Sequence, residues 1–477
     1  MFRKLFQGAG IAIIACFIAI LAHEKEWLSW PENKLWDLRE RYFARPSSAT
    51  DSIRLILIDQ PSLDWAFNEL NLRWPWPREA YEPILAFCKR CGAKAVTFDL
   101  LFTEASSYGV DDDEILGTAI KNSVPFAGVL WLSKTHGYTK TWREEVPYVL
   151  TRAITNDFIK KLRPEIVKNT TMDFASFPIP QVATNSLLLG TVNALPDDDA
   201  IVRKIPVFQI FDNHFVPVLG LALWMSANND GIIFTDKSIT IGGTKIELNK
   251  DGNVILRYRG KSQTHKAVSA AGVIQSEMRL REGGNPSVDP SFLRDKYVFL
   301  GVTAPGLMDL KPTPISKVYP GVEIHATFLD NLLIGDFAKE AKDIYVLLFI
   351  VICAIILGIW MRFCSGAGQT TAIFLLAVLI PLFAGFYAYE KKIWFNIMSP
   401  LSANVLSVLS VFILNYATEG RQKRFIKNAF KQYLSEEVIE KLIKDPGHLK
   451  LGGEVRELSI YFSDVQGFTG ISESLGP

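Results

Sequence analysis

Cysteine is scarce in this chain, with 5 in 477 residues. Cys16, Cys353 and Cys364 lie in or beside apolar stretches, so neither a disulfide framework nor a zinc site is indicated. An excess of charge of one sign is also missing. The formal net charge is +1 and no basic run resembles a nucleic-acid arm, which argues against polyanion binding; no nucleic-acid partner is expected. Apolar residues are abundant instead. They make up 49% of the chain, which is high for a soluble protein and points to membrane segments. The chain is also too long for one compact core, so two or more domains are expected.

Arg3 and Lys4 precede an apolar run over 8–22 that no charge interrupts. An uncleaved anchor and a secretory signal peptide share this form. Ile20 stands where a cleavage site wants a small residue, which favours the anchor. The two cations keep the N-terminus cytoplasmic and send the next segment outside. Three later apolar segments, 344–361, 371–389 and 393–417, are each about long enough to cross a ~30 Å hydrocarbon core. They return the chain to the cytoplasm, where Arg421, Lys423, Arg424 and Lys427 follow as the positive-inside rule requires. Lys391 and Lys392, in a short external turn, count against this topology. Four spans with both termini cytoplasmic is the simplest solution. Ser399, Ala403, Ser407 and Ser410 form a small-residue stripe on the last span, suited to packing within the chain or to a dimer contact.

The external segment, 23–342, is long enough for a full domain. Strands are predicted at 53–59, 95–102, 125–132, 187–192, 205–211 and 297–302, with a helix over 78–90. The strand-helix-strand order at its start suggests a parallel pairing in an α/β core, and 238–243 with 245–258 suggests antiparallel additions. Asp59 and Asp99 end buried strands, where ligand crevices form, although strand-end aspartates also cap turns. Trp74 and Trp76 suit either a ligand or a rigid core wedge. His325 suits packing better than metal binding. Cys88 and Cys91 form a C-x-x-C beside Lys89 and Arg90, cations that would lower a thiol pKa, but the apolar helix around them favours core thiols.

At the far end, Leu458, Ile460 and Phe462 alternate as in a half-buried strand. Asp464, a glycine turn and Ile471-Ser472-Glu473, which opens a helix, come next. A strand that delivers a carboxylate into a turn at a helix start suits a metal-bound polyphosphate. Between the last span and this motif, 421–444 is helical in composition. Ile426, Phe430 and Tyr433 make one apolar stripe, and Val438, Ile439, Leu442 and Ile443 another. A break is expected near Leu434, with Ser435 and Glu436 opening the second helix.

Phe462-Ser463-Asp464-Val465-Gln466-Gly467-Phe468-Thr469 resembles the opening motif of class III adenylate/guanylate cyclases, and 429–438 with 451–457 resembles the segment that precedes their catalytic domain. The resemblance implies that Asp464 binds metal through its carboxylate and Val465 through its carbonyl, two Mg²⁺ or Mn²⁺ serving each complete active site. It implies that Gly467, Phe468 and Thr469 face the phosphates of ATP or GTP. It also implies a homodimer. The second metal aspartate and the transition-state residues of that family would follow Pro477, so no turnover is expected from this stretch alone. Trp74-Pro75-Trp76-Pro77-Arg78, 92–102, 197–203 and 320–326 resemble the second class of CHASE sensor domains, which occur with cyclases and histidine kinases and take external ligands.

The expected architecture is a multidomain, multi-pass protein of a bacterial inner membrane. A cytoplasmic N-terminus and first span (1–22) lead to an extracellular α/β sensor domain (23–342). Three transmembrane helices (343–417), juxtamembrane helices (418–453) and the start of an α+β cyclase domain (454–477) complete it. The expected function is conversion of ATP to cyclic AMP and pyrophosphate under control of an external ligand. A sensor histidine kinase and a non-enzymatic sensor are the alternatives; His448, after Pro446 and Gly447, fits a phosphoacceptor poorly.

Overall fold

The computed structural model describes residues 1–150, 152–194, 196–307, 309–364, 366–430, 457, 459–464 and 466–475. Two units divide it, Met1–Val408 and Leu409–Pro477.

The first unit opens with α1 (Phe2–Glu24) and α2 (Ser29–Phe43). β1 (Ile53–Ile58) is buried at every position. Its neighbouring side chains point to opposite faces. Ile53, Leu55 and Leu57 enter one apolar core and Ile56 and Ile58 another, so with both faces covered the strand reads as an apolar run interrupted by Arg54 alone. Asp59 caps α3 (Gln60–Leu70), accepting from the Ser62 amide at 3.0 Å. α4 (Glu82–Cys91) stops at Gly92, whose φ of 72° is the left-handed helix terminator, and β2 (Ala95–Phe98) follows. α5 (Val110–Asn122) leads to β3 (Phe126–Ser133). β4 (Phe174–Ser176), β5 (Leu188–Thr191), β6 (Ala267–Ser269), α6 (Ala270–Arg281), β7 (Tyr297–Val302) and α7 (Gly321–Ile334) come next.

The sheet runs β6-β1-β7-β2-β3, parallel throughout, with β5 parallel and β4 antiparallel on the far side of β3. β1 and β2 are therefore parallel but not neighbours. β7 separates them, Leu55 standing opposite Phe299 and Phe299 opposite Thr97. A strand some 200 residues away in sequence wins that position because its six residues, buried on both faces, fit between two cores. β2 also ends earlier than expected: Asp99 makes the last sheet contact, its amide bonding the Leu300 carbonyl at 2.8 Å, and the chain leaves after it. The run 205–211 is two strands, because Lys204–Pro206 pairs with Asn253–Ile255 while Phe208–Phe211 pairs with His214–Pro217. The expected hairpin forms as Ser238–Ile241 with Thr244–Glu247.

Among the described residues, four helices are long and apolar enough to cross a membrane: Phe2–Glu24, α8 (Asp343–Phe363), α9 (Ala367–Glu390) and Met398–Thr418, the first part of α10 (Met398–Phe430). α10 starts later than the apolar run, because Ile393–Trp394 pairs as a short parallel strand with Lys339–Glu340. Three residues of the small-residue stripe pack within the chain, and Ser410 is exposed. Ser399, Ala403 and Ser407 are fully buried; Ser407 Oγ donates to the Ala354 carbonyl at 3.0 Å and Ser399 Oγ meets His23 Nδ1 at 3.0 Å. Lys392, which counted against the topology, bonds the Gly335 carbonyl at 3.1 Å and pairs with Asp336 at 3.2 Å. The α9–α10 turn therefore meets the α/β domain.

In the second unit, α10 is helical through Phe430. The expected break near Leu434, the helix start at Ser435 and the second apolar stripe lie outside the described residues. Of the strand expected at 458–462, Leu458 lies outside the described residues and the rest is not a strand: 459–464 is exposed, irregular chain. A strand needs a neighbour to take its backbone groups, and among the described residues none pairs with it. The turn and helix do form, with Gly467 at φ 79° leading into α11 (Phe468–Leu475).

Candidate functional site

Around Asp464 the geometry is simple. The aspartate is exposed, and two residues later Gln466 and Gly467 turn the chain. Glycine is suited there because its positive φ would strain any side chain. The Ile471 amide closes the first helical bond onto the Gly467 carbonyl at 3.1 Å, which leaves the amides of Phe468, Thr469 and Gly470 without intrahelical acceptors. Such a helix start attracts anions. Val465 lies outside the described residues. Among the described residues no three His, Cys, Asp or Glu side chains converge as a metal site, so Asp464 is at most part of one.

The strand-end aspartates of the α/β domain separate into two kinds. Asp59 is committed to structure: one carboxylate oxygen takes the Ser62 amide and the Ser269 hydroxyl, both at 3.0 Å, together with the Ser62 hydroxyl. Asp99 faces Asp309 and Lys311. Burial and the Asp309 charge push its carboxyl well above the ordinary range, and burial raises Asp309 to about 6. The pair holds one shared proton more readily than two charges. Asp309 lies against the start of α7, where the Gly321 amide donates to its carbonyl at 3.0 Å. His325, on α7, is buried and hydrogen-bonded to the Val192 backbone; burial and Lys311 hold it down to about 3, so it is neutral.

Trp76 is a core wedge, buried against Tyr81, while Trp74 is partly buried beside it. Cys88 and Cys91 are free and buried. Burial outweighs the cations near them, pushing the Cys88 thiol above its ordinary range and Cys91 up to about 11. Reactive thiols sit in the opposite setting.

Sequence reasoning passed over the most elaborate polar constellation, which surrounds α2. Three carboxylates project from that helix. Glu32 reaches the turn before α10, accepting from the Ile397 amide at 2.7 Å, the Met398 amide at 3.1 Å and Trp394 Nε1 at 3.1 Å. It also pairs with Arg39, whose other nitrogen donates to the Phe395 carbonyl at 3.0 Å. Trp36 stacks on Trp394 with centroids 4.3 Å apart, and Phe43 stacks on Tyr389 at 4.9 Å. Asp37 points the other way and holds Arg203 through two bonds of 2.7 and 2.9 Å. Glu40 accepts from the Tyr258 amide at 3.1 Å. Deeper in the α/β domain, Asp330 binds Arg259 at 2.7 Å and His265 at 3.2 Å, and Asp336 binds Arg257 and Arg259, each at 2.7 Å.

A family model for the CHASE2 domain matches residues 11–361. The chain belongs to the CHASE2 family. No curated protein and no solved structure matches it. CHASE2 is an extracellular sensor domain of signalling receptors, and the match reaches from within α1 into α8. Several of the strings that carried the resemblance have structural work in this CHASE2 domain. Arg203 gathers Asp197 at 2.9 Å and Asp199 at 2.8 Å in addition to Asp37, which fastens 197–203 to α2. Asp112 accepts the Arg78 and Glu79 amides, both at 2.7 Å, and so fixes the chain leaving Trp76. Gly321 is glycine because a side chain there would run into the Asp309 carboxylate.

Proposed function

We propose that this chain is the sensing and membrane portion of a receptor nucleotide cyclase, in which an extracellular CHASE2 domain controls formation of cyclic AMP and pyrophosphate from ATP. One observation carries the reading: the Phe462–Thr469 motif, with its glycine turn and helix start, in a chain that also holds a CHASE2 domain and four membrane-length helices. In this reading Asp464 and the Val465 carbonyl are part of the donor set for two Mg²⁺ or Mn²⁺, which when bound would neutralise the triphosphate and activate the attacking 3′-hydroxyl. Gly467, Phe468 and Thr469 orient the phosphates through the free amides of the helix start. The remaining donors come from a continuation of the catalytic domain, and its active sites form between two copies, so the working unit is a homodimer in the inner membrane with both termini cytoplasmic.

The test is cyclic-nucleotide formation in membranes by a chain that continues through the catalytic domain. Asp464→Ala should reduce the rate by roughly a thousandfold or more, as loss of a metal-binding carboxylate does, while membrane insertion and CHASE2 stability stay unchanged. Retained activity would refute the role given to Asp464. An active chain that makes cyclic GMP from GTP would correct the nucleotide alone.

A further inference from the structure

Helix α2 touches the CHASE2 core on one side and the ends of the membrane helices on the other, and its three acids are not equally satisfied. Both oxygens of Glu32 and both of Asp37 accept hydrogen bonds. Glu40 is fully buried; its carboxyl takes the Tyr258 amide and has the Tyr389 hydroxyl as a hydrogen-bond neighbour, and among the described residues no guanidinium is bonded to it. Around it stand Arg257 and Arg259, from the segment after the strand Asn253–Ile255, Tyr389 from α9, and Arg39 on its own helix. Each of these guanidiniums is bonded to another carboxylate: Arg39 to Glu32, Arg257 to Asp336, and Arg259 to Asp330 and Asp336. Arg257 Nε and Arg259 Nη2 are nevertheless buried without an acceptor. The same cluster thus holds a buried carboxyl bonded to no guanidinium and two buried guanidinium donors without an acceptor, groups that are costly to leave unpaired. A second arrangement, in which a charged Glu40 takes one of those donors, is available to the same side chains.

We propose that α2 is the coupler through which the CHASE2 core and the membrane helices share one packing, and that protonation of Glu40 selects the packing described here. Burial raises this carboxyl from the ordinary 4.5 to about 8, against the pull of Arg257 and Arg259. The sign follows from linkage. A carboxyl whose pKa is raised in one arrangement favours that arrangement most when the pH is low, and the advantage is lost as pH climbs from the ordinary carboxyl range through the raised value. External alkalinity would therefore loosen α2 from Tyr389 and from the turn that Glu32 caps, a population shift between two packings.

The experiment is hydrogen–deuterium exchange on the full chain in lipid nanodiscs. It follows the Ile397 and Met398 amides held by Glu32, corrected for the intrinsic pH dependence of exchange. Wild-type protection should fall roughly tenfold or more between about pH 5 and about pH 9, while Glu40→Gln should stay protected throughout. A flat wild-type profile overturns the proposal, as does a Glu40→Gln profile that falls in parallel with wild type. The wild-type profile decides alone should the variant fail to insert. No nucleotide enters the measurement, so its outcome is independent of the cyclase reading.

Discussion

Glu32 and Asp464 are both carboxylates close to a helix start, yet they live in opposite surroundings. Glu32 is 3% exposed and reaches across more than three hundred residues of sequence to cap the turn before α10. Asp464 stands in an exposed segment ahead of a helix whose side chains are all solvent-facing. The first is defined by its partners and has no local signature. The second is defined by its local sequence, in a stretch that is exposed at every described position. A motif is legible because its chemistry is local; a junction is illegible because its chemistry is assembled by the fold.

That contrast fixes how the two regions should respond to mutation. The largest effect expected under the cyclase proposal is loss of turnover on Asp464→Ala, and it should come with no change in stability. At the junction the balance reverses. Arg203 is fully buried and holds Asp37, Asp197 and Asp199. Arg203→Leu would leave three carboxylates around an apolar side chain, and removing one partner of a buried ion pair costs about 3–5 kcal/mol. A drop of the unfolding midpoint in nanodiscs would show it, and an unchanged midpoint would mean that the α2 contact contributes little.

Two glycines sharpen the comparison at a smaller scale. A side chain at Gly321 collides with the Asp309 carboxylate, whereas one at Gly470 meets nothing within 4 Å. Gly321→Ala should destabilise the CHASE2 domain by about 1–3 kcal/mol. Gly470→Ala, in an exposed helix, should be neutral or stabilise α11 by about 0.5–1 kcal/mol. Equal effects at the two positions would contradict the difference in packing between the regions.

The same division explains what could be read from the sequence. β1 and β7 were legible because strands buried on both faces are nearly continuous apolar runs, β1 being interrupted by Arg54 alone. The membrane helices were legible by length and composition alone. The insertion of β7 between β1 and β2 was not, since pairing over a long separation leaves no trace in either strand. α2 escaped notice because its buried positions are Glu32, Trp36, Asp37, Arg39 and Glu40; a helix that buries charges shows no apolar period. The strand expected at 458–462 had the right alternation, yet 459–462 is irregular chain, because alternation supplies a buried face only when something is there to bury it.

The smallest effects concern two aspartates that look equivalent in sequence, each closing a buried strand. Asp59 caps α3, so Asp59→Ala should cost about 1 kcal/mol, the usual loss for an N-cap. Asp99 behaves differently because burial and Asp309 disfavour its charged form. A carboxyl raised in the folded state subtracts stability as pH climbs past its ordinary pKa. Asp99→Asn keeps the shape of the neutral acid and abolishes that penalty. The variant should match wild type at about pH 4 and exceed it increasingly towards about pH 8, with Asp309 then free to pair with Lys311 alone. Chemical unfolding across this range distinguishes the two residues. If Asp99→Asn were instead destabilising at every pH, Asp99 would be a structural anchor like Asp59, and the two strand ends would not differ in kind.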